Sequence, residues 1–427
     1  MKQYTDLLAR ILAEGRRKVN RTGVDTISLL GPQMEFDMSA GYPLLNLREV
    51  PFEHAVNENL WFLGGVCNNE DLVAMGTKFW SKWALKEDFI VEEMRPVHTV
   101  VNEYIFVRLK EDGLEITEET PVEEAIAMRQ KYVDELTAAD QRDHEAGLPT
   151  LINAMGAINH NELMGGFAEI RKYPDIKFGD ERTVATKGYL GPIYGVLWRR
   201  WIGSDGVAYD QIGTMLAKLG SDNPKLRYSR CNIVTAFQPS VLPDETIGAE
   251  ENIKIGRQAL AACHTFFQLF AEPLTLQERI DLLMQDLEPG DIAYTGDDES
   301  MELHLDDKGI PRDQLSLKLY QRSADFPVGV PFNIAGYSLL LLMFCKQLNM
   351  KPAKFIHTFG DAHIYVDQID GVKELLARTE FQDTVGGALP TVEIADGVPS
   401  MFEYKPEHFA LVGYYPIKPQ IKFPVAV

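Results

Sequence analysis

Apolar residues recur three and four apart at the start of the chain, where Tyr4, Leu7, Leu8, Ile11 and Leu12 share one stripe. That spacing predicts an amphipathic helix, broken at Gly15 and followed by the basic, turn-prone loop RRKVNRTG. The period then shortens to that of strands: DTISLLGPQMEFDM alternates and turns, while PFEHAVNENLWFLGG returns to helical spacing and stops at Gly64 and Gly65. Further on, QLSLKLYQRS alternates Leu315, Leu317 and Leu319 as a half-buried strand does. GYSLLLLMFCKQL is apolar nearly all round and predicts a buried helix with Gly336 near its start and Cys345 in the core. Periodicity alone thus supports a mixture of helix and strand.

Two stretches have another texture. Residues 86–187 carry dense charge and few aromatics, with helical spacing around Glu123 to Glu135. Residues 271–314 hold DLEPGDIAYTGDDESMELHLDDKG, whose Asp297, Asp298 and Glu299 miss the spacing of a calcium loop and read as a solvated loop. Both are expected to be insertions, the first an added subdomain, within a single catalytic domain spanning 1–427.

Composition narrows the class. Of 427 residues, 45% are hydrophobic and 25% charged, which predicts a soluble globular protein with a sizeable core. The N-terminal segment lacks the apolar run of a signal peptide or membrane span, so a cytoplasmic location is expected. Four widely spaced cysteines (Cys67, Cys231, Cys263, Cys345) fit neither a disulfide framework nor a zinc pattern, so they are expected to be reduced and without metal. A net charge of -21 repels phosphates, which argues against nucleic-acid binding and means that an anionic substrate requires a local arginine cluster.

Candidate chemistry starts at LAACHTFFQLF, where Cys263 precedes His264. In a strand, consecutive side chains diverge, so His264 is not the base for Cys263, and a thiolate here needs a cation from elsewhere. Taken alone, Cys263 reads more readily as a packed thiol. LYQRSADFPVGVPFNIAGY alters the balance, because Gln321, Arg322, Ser323, Asp325 and Asn333 stand in a segment that otherwise reads as core, and buried polar groups require partners. Arg322 with Ser323 suits a phosphate, and the amide of Asn333 offers a donor beside an acceptor, the complement of a uracil edge. A capping and salt-bridge network is the alternative. In FGDAHIYVDQ, His363 and Tyr365 share a face if extended, placed to bond one hydroxyl. The segment IKFPVAV is apolar and reads as a docking tail.

Taken in order, RTGVDT, ENLWFLGG, GYLGPIYG, ACHTFFQ, YQRSADFPVGVPFNIAGY, GDAHIY and PVAV resemble the thymidylate synthase family, which includes the pyrimidine-nucleotide hydroxymethylases. The resemblance covers residues 1–84, 188–270 and 315–427. It implies an α/β (α+β) fold, a large mixed twisted sheet flanked by helices, with active sites at the interface of an obligate homodimer. It implies that Cys263 adds to C6 of dUMP, that Arg21, Arg322, Ser323 and Gln321 hold the nucleotide with Arg230 donated by the partner subunit, and that Asn333 reads the base. His363 and Tyr365 would meet the sugar, and Glu58, Tyr194 and Asp325 would serve the chemistry. Trp80, Trp83, Leu260, Asp325, Gly329, Phe332 and Ala426 would contact the co-substrate, methylenetetrahydrofolate. Asn333 rather than Asp favours dUMP over dCMP. The expected activity is thymidylate synthase; the alternative is a dUMP hydroxymethylase such as a bacteriophage uses to modify DNA, and a noncatalytic nucleotide-binding scaffold is a third reading. Cys231 stands where the family usually carries a second Arg, with Arg227 the nearby substitute, AFQPS replaces the usual Ala-Trp-Asn of the synthases, and NLREVPFEH keeps only Arg48 as a basic residue.

Overall fold

The computed structural model describes the chain except residues 21, 92–107, 115–119, 139–181, 203–207, 287–296, 382–388, 426–427 and scattered positions between 122 and 137. Most of 86–187 therefore lies outside the described residues, but within the predicted helical spacing around Glu123 to Glu135 the described positions, among them Glu124, Met128, Gln130, Tyr132 and Glu135, are helical. The chain divides into two compact units, Met1–Leu60, Ile212–Thr235 and Cys263–Val427 in the first, Trp61–Gln211 and Ala236–Ala262 in the second.

The first unit is organised on a seven-stranded mixed sheet. Its strands are β1 (Arg16–Lys18), β2 (Thr26–Leu30), β3 (Gln33–Asp37), β4 (Ile233–Thr235), β5 (His264–Pro273), β6 (Asp313–Asp325) and β7 (Lys351–Tyr365), in the order β1-β2-β7-β6-β5-β4. β3 also pairs with β7, so β2 and β3 divide the length of this 15-residue strand between them. β6 and β7 are parallel and the other pairs antiparallel. A parallel pair needs a long crossover, and here it is the 20-residue helix Gly329–Leu348.

The helices follow from the sequence with two corrections. Helix α1 (Lys2–Glu14) buries Tyr4, Leu7, Leu8 and Ile11 and ends at Gly15, and α2 is Phe52–Leu63. The buried crossover helix begins at Gly329, not near Gly336, because Pro331 falls in its first turn, where the missing N–H has no intrahelical partner to lose. It packs Leu339, Leu340, Leu341, Met343 and Phe344 against β6 and β7. The second correction concerns Asp297, Asp298 and Glu299. They are not loop: Asp297 caps the N-terminus of helix Asp298–Asp307 by accepting from the Ser300 N–H at 2.9 Å, and two acids occupy the positive first turn.

That helix belongs to an excursion whose ends are fixed by the sheet, since Pro273 and Asp313 are register partners across β5 and β6. Between them, Leu276–Asp286 and Asp298–Asp307 enclose a small apolar cluster of Leu283, Leu305 and Ile310. Arg279 is buried beside it and bonds Asp306 at 2.7 Å, Glu302, and the carbonyls of Ile310 and Pro311. The guanidinium is thereby satisfied by two carboxylates and two carbonyls from the far side of the excursion.

The two faces of the sheet differ. Leu315, Leu317, Leu319, Phe355 and Phe359 lie under the crossover helix and are inaccessible. On the opposite face Phe266 stacks on Tyr320 with centroids 5.5 Å apart, and Phe270 and Ile233 remain about half exposed, at 51% and 43%.

Breaking a buried ion pair by removing one partner typically costs about 3–5 kcal/mol. Arg279→Ala is therefore expected to destabilise the protein by about that amount in urea titrations, a larger effect than truncation of an exposed arginine such as Arg10.

Candidate active site

Parallel pairing sets two rows of polar residues beside each other at the C-terminal ends of β6 and β7. Ser323 is opposite Asp361 and Asp325 opposite His363, while Gln321, Ser323 and Asp325 follow one another on the face that upstream carries Leu315, Leu317 and Leu319. The same alternation therefore builds a core at one end of β6 and a polar site at the other.

Cys263 immediately precedes β5 and is half-buried. The register of β5 against β6 slips at Thr265, between the pairs Tyr320 with Phe266 and Gln321 with His264. Such a bulge re-aims side chains. The Arg322 N–H meets the Cys263 carbonyl at 2.9 Å, and Nη2 of Arg322 lies 3.9 Å from Cys263 Sγ. A guanidinium at that distance favours a thiolate over a thiol, and it comes from 59 residues along the chain. At Cys67 and Cys345 burial dominates and pushes both thiols well up, at Cys67 despite a hydrogen bond with Tyr189 and the charge of Arg200.

His264 turns inward, as the strand geometry predicts. Its ring meets Tyr337 edge-on at 5.3 Å and is hydrogen-bonded to Asn333, and burial pulls its pKa down to about 4, against the effect of that bond. It is neutral at physiological pH.

Asn333 is oriented by a buried chain of amides whose order can be deduced. The Ser323 carbonyl only accepts, so the Gln321 atom 3.0 Å from it is Nε2, which also donates to Asn333 Oδ1 at 3.1 Å. Gln321 Oε1 then faces His357 Nε2 at 2.8 Å, which makes that nitrogen the donor. His357 is fully buried between Phe355 and Phe359, and burial, with His264 nearby, holds its pKa well below the ordinary value, so the ring stays neutral. Sequence reasoning passed over His357, although a polar residue at the core parity of KFIHTFG was the available signal.

His363 and Tyr365 do share a face at the end of β7, with ring centroids 5.2 Å apart. Asp361 lies 3.4 Å from His363 Nδ1 and bonds Lys18; burial raises its pKa, but these two partners outweigh that and hold it at about 2. Asp325 is the opposite case. Burial dominates and raises it to about 6, despite hydrogen bonds from Gln368 and the Val328 N–H and the nearby charges of His363 and Arg48. Gly329 and Phe332 stand in the first turn of the crossover helix, and Glu58 projects from α2.

Arg230 is exposed in a turn, its carbonyl accepting from Gln268 at 3.0 Å. Arg227, the nearby substitute for an Arg at Cys231, is paired with the buried Asp313 at 2.7 Å. Arg21 and Ala426 lie outside the described residues.

In the second unit, Trp80 is 6.2 Å from Trp83 and 5.5 Å from Tyr194, and the Phe62 ring meets Tyr194 at a tilt with centroids 4.9 Å apart. Tyr194 has φ 27° and ψ −92°, a strained conformation for a side-chain-bearing residue, just before helix Gly195–Arg200. The next position has to be glycine, since a Cβ on Gly195 would approach the Phe62 carbonyl oxygen to 2.5 Å. Gln258 braces the loop that carries Leu260, bonding the Pro192 carbonyl at 2.9 Å and the Ala262 N–H at 3.2 Å.

A cation-flanked cysteine, an amide held in a fixed orientation and a polar cluster at paired strand ends are the parts that an enzyme using covalent catalysis on a small molecule requires. The family model for thymidylate synthase matches residues 2–427, and the chain belongs to the thymidylate synthase family. It is 30% identical over its full length, and theirs, to proteins named thymidylate synthase from Listeria monocytogenes serovar 1/2a and Listeria innocua serovar 6a.

The raised Asp325 carboxyl has a thermodynamic consequence. A group whose pKa is about 6 folded and 3.8 unfolded contributes stability below pH 3.8 that is lost as pH rises through 6. Asp325→Asn removes that loss, so its stability relative to the parent is expected to improve by about 3 kcal/mol from pH 3.5 to 8 in denaturant titrations, while turnover falls.

Proposed function

We propose that the protein is a thymidylate synthase, converting dUMP and methylenetetrahydrofolate to dTMP and dihydrofolate, and the observation that carries this is Cys263 beside Arg322 with the Asn333 amide locked by Gln321. C5 of uracil is a weak nucleophile. Addition of the Cys263 thiolate to C6 moves the ring electron pair toward C5 and O4, which makes C5 reactive. Asn333 stabilises the charge gathering on the ring oxygen, and its fixed orientation opposes cytosine, whose edge exchanges donor and acceptor. Arg322, Ser323 and Arg21 bind the phosphate, and His363 with Tyr365 the sugar. The folate supplies the one-carbon unit and the hydride that ends the reaction.

Residues of this chain suit that co-substrate. Trp80 and Trp83 are half-buried indoles matched to a flat heterocycle, and a buried Asp325 accepts N–H groups of such a ring. Glu58 and Tyr194 handle protons through ordered water, and Leu260, Gly329, Phe332 and Ala426 are the further folate-contacting residues of this reading; keeping water from the reactive intermediate favours hydride transfer.

We further propose that the enzyme is a homodimer whose partner donates Arg230. The exposed Phe270 and Ile233 beside the Phe266–Tyr320 stack form an apolar sheet face of the kind a second copy covers, and Arg230 stands exposed in the turn just before β4. A nucleophilic thiol that must stay reduced supports a cytoplasmic location.

Product analysis by mass spectrometry is expected to give dTMP with dihydrofolate. 5-Hydroxymethyl-dUMP with tetrahydrofolate would identify a hydroxymethylase instead. Cys263→Ala is expected to abolish turnover while retaining dUMP binding, which a noncatalytic scaffold does not require. Mixed with Arg230→Ala, it is expected to recover up to about a quarter of parental activity through heterodimers with one intact site; no recovery on subunit exchange would exclude arginine donation.

A further inference from the structure

Gln368 lies just before the helix Ile369–Ala377 and is 1% exposed. Its Oε1 accepts from the Tyr365 N–H at 3.0 Å, which fixes the direction of the amide. The two hydrogens on Nε2 then have two destinations. One is the Asp325 carboxylate, 3.2 and 3.1 Å from its oxygens; the other is the Pro424 carbonyl at 2.9 Å. One carboxamide thus joins a strand end of the site to the C-terminal segment, with both donors and its acceptor in use.

The segment around Pro424 is held as a strap. Ile417 N–H bonds the Asn46 carbonyl at 2.7 Å, Gln420 bonds the Glu49 N–H and carbonyl at 2.9 Å, and Ile421 is buried. Phe423 lies against Gly371, where a Cβ would come within 2.7 Å of the ring, and its face receives the Arg48 guanidinium at 5.6 Å. Beyond Phe423, the Pro424 carbonyl is the group that Gln368 takes.

We infer that Gln368 is a positioning residue that couples the C-terminal strap to Asp325, so that the strap is docked when the carboxylate is oriented to receive the folate. The inference rests on the co-substrate role proposed above, while the linkage itself is a property of the free protein. Groups facing Asp325 are Arg48 from the segment after β3, Tyr4 from α1, His363 from β7, and Gln368. Tyr4 is neutral, its pKa raised by burial above the ordinary value, and Arg48 is bound to the Pro327 carbonyl at 2.8 Å, so neither supplies a bond to Pro424.

Hydrogen exchange of the peptide spanning 417–425, in protein without substrate, tests the linkage. Gln368→Leu removes both donors and is expected to accelerate exchange there about tenfold relative to α1. Gln368→Glu keeps the shape, loses the bond to Pro424 and sets a carboxylate against Asp325; it is expected to accelerate exchange equally. It is also expected to move the acid limb of kcat/KM for methylenetetrahydrofolate to higher pH, because a like charge raises Asp325 further. KM for the folate is expected to rise about tenfold in both variants with KM for dUMP unchanged. A residue that only fills space predicts no pH shift and no difference between tail and α1. Unchanged tail exchange in either folded variant overturns the inference whether or not the protein proves to be a synthase. If neither variant folds, Gln368→Met, which keeps the length and removes both donors, decides: unchanged exchange over 417–425 relative to α1 overturns it.

Discussion

The site depends on the parallel pairing of β6 and β7. Because the strands run the same way and in register, Ser323 meets Asp361 and Asp325 meets His363 without any loop being asked to hold them. Parallel strands require a long connection, and the helix that provides it carries Asn333 in its second turn, directly over the strand that holds Gln321. The crossover and the oriented amide are therefore one feature. A shift of one residue between the strands would turn Ser323 and Asp325 away from their partners and place apolar side chains in the site.

Around that frame the polar groups are kept apart by environment rather than by residue type. Two aspartates near the paired strand ends differ widely in acidity: Lys18 and His363 hold Asp361 at about 2, whereas burial raises Asp325 to about 6. His264 and His357 are both buried and neutral, and each meets an amide rather than the thiol. The separation lets one small volume offer a fixed anion, a tunable carboxyl and a set of neutral hydrogen-bonding groups.

Local periodicity carried much of this fold. The stripe of Tyr4, Leu7, Leu8 and Ile11 is the buried face of α1, and the alternation of Leu315, Leu317 and Leu319 is the buried face of β6. Where the signal was tertiary, the sequence was less informative. The crossover helix starts at Gly329, ahead of the apolar run that announces it, because a proline in the first turn costs no hydrogen bond. Cys263 was ambiguous in its own segment, since what distinguishes it is Arg322 on a neighbouring strand brought in by a bulge. The pairing of Arg227 with a buried aspartate on β6 has no local signal either, because Asp313 lies 86 residues away. Gln368 gave no local signal, because its meaning lies in two partners 43 and 56 residues away.

The excursion between Pro273 and Asp313 also bears on how such an enzyme can change size. Its two ends are neighbours in a hydrogen-bonded ladder, so the sheet closes the loop and the intervening length adds only a slowly growing entropic cost. Its own apolar cluster and the buried Arg279 give it internal cohesion. Lineages can therefore lengthen, shorten or replace this module while the strands on either side keep their register, and the same junction is the natural place to graft a reporter or an affinity handle.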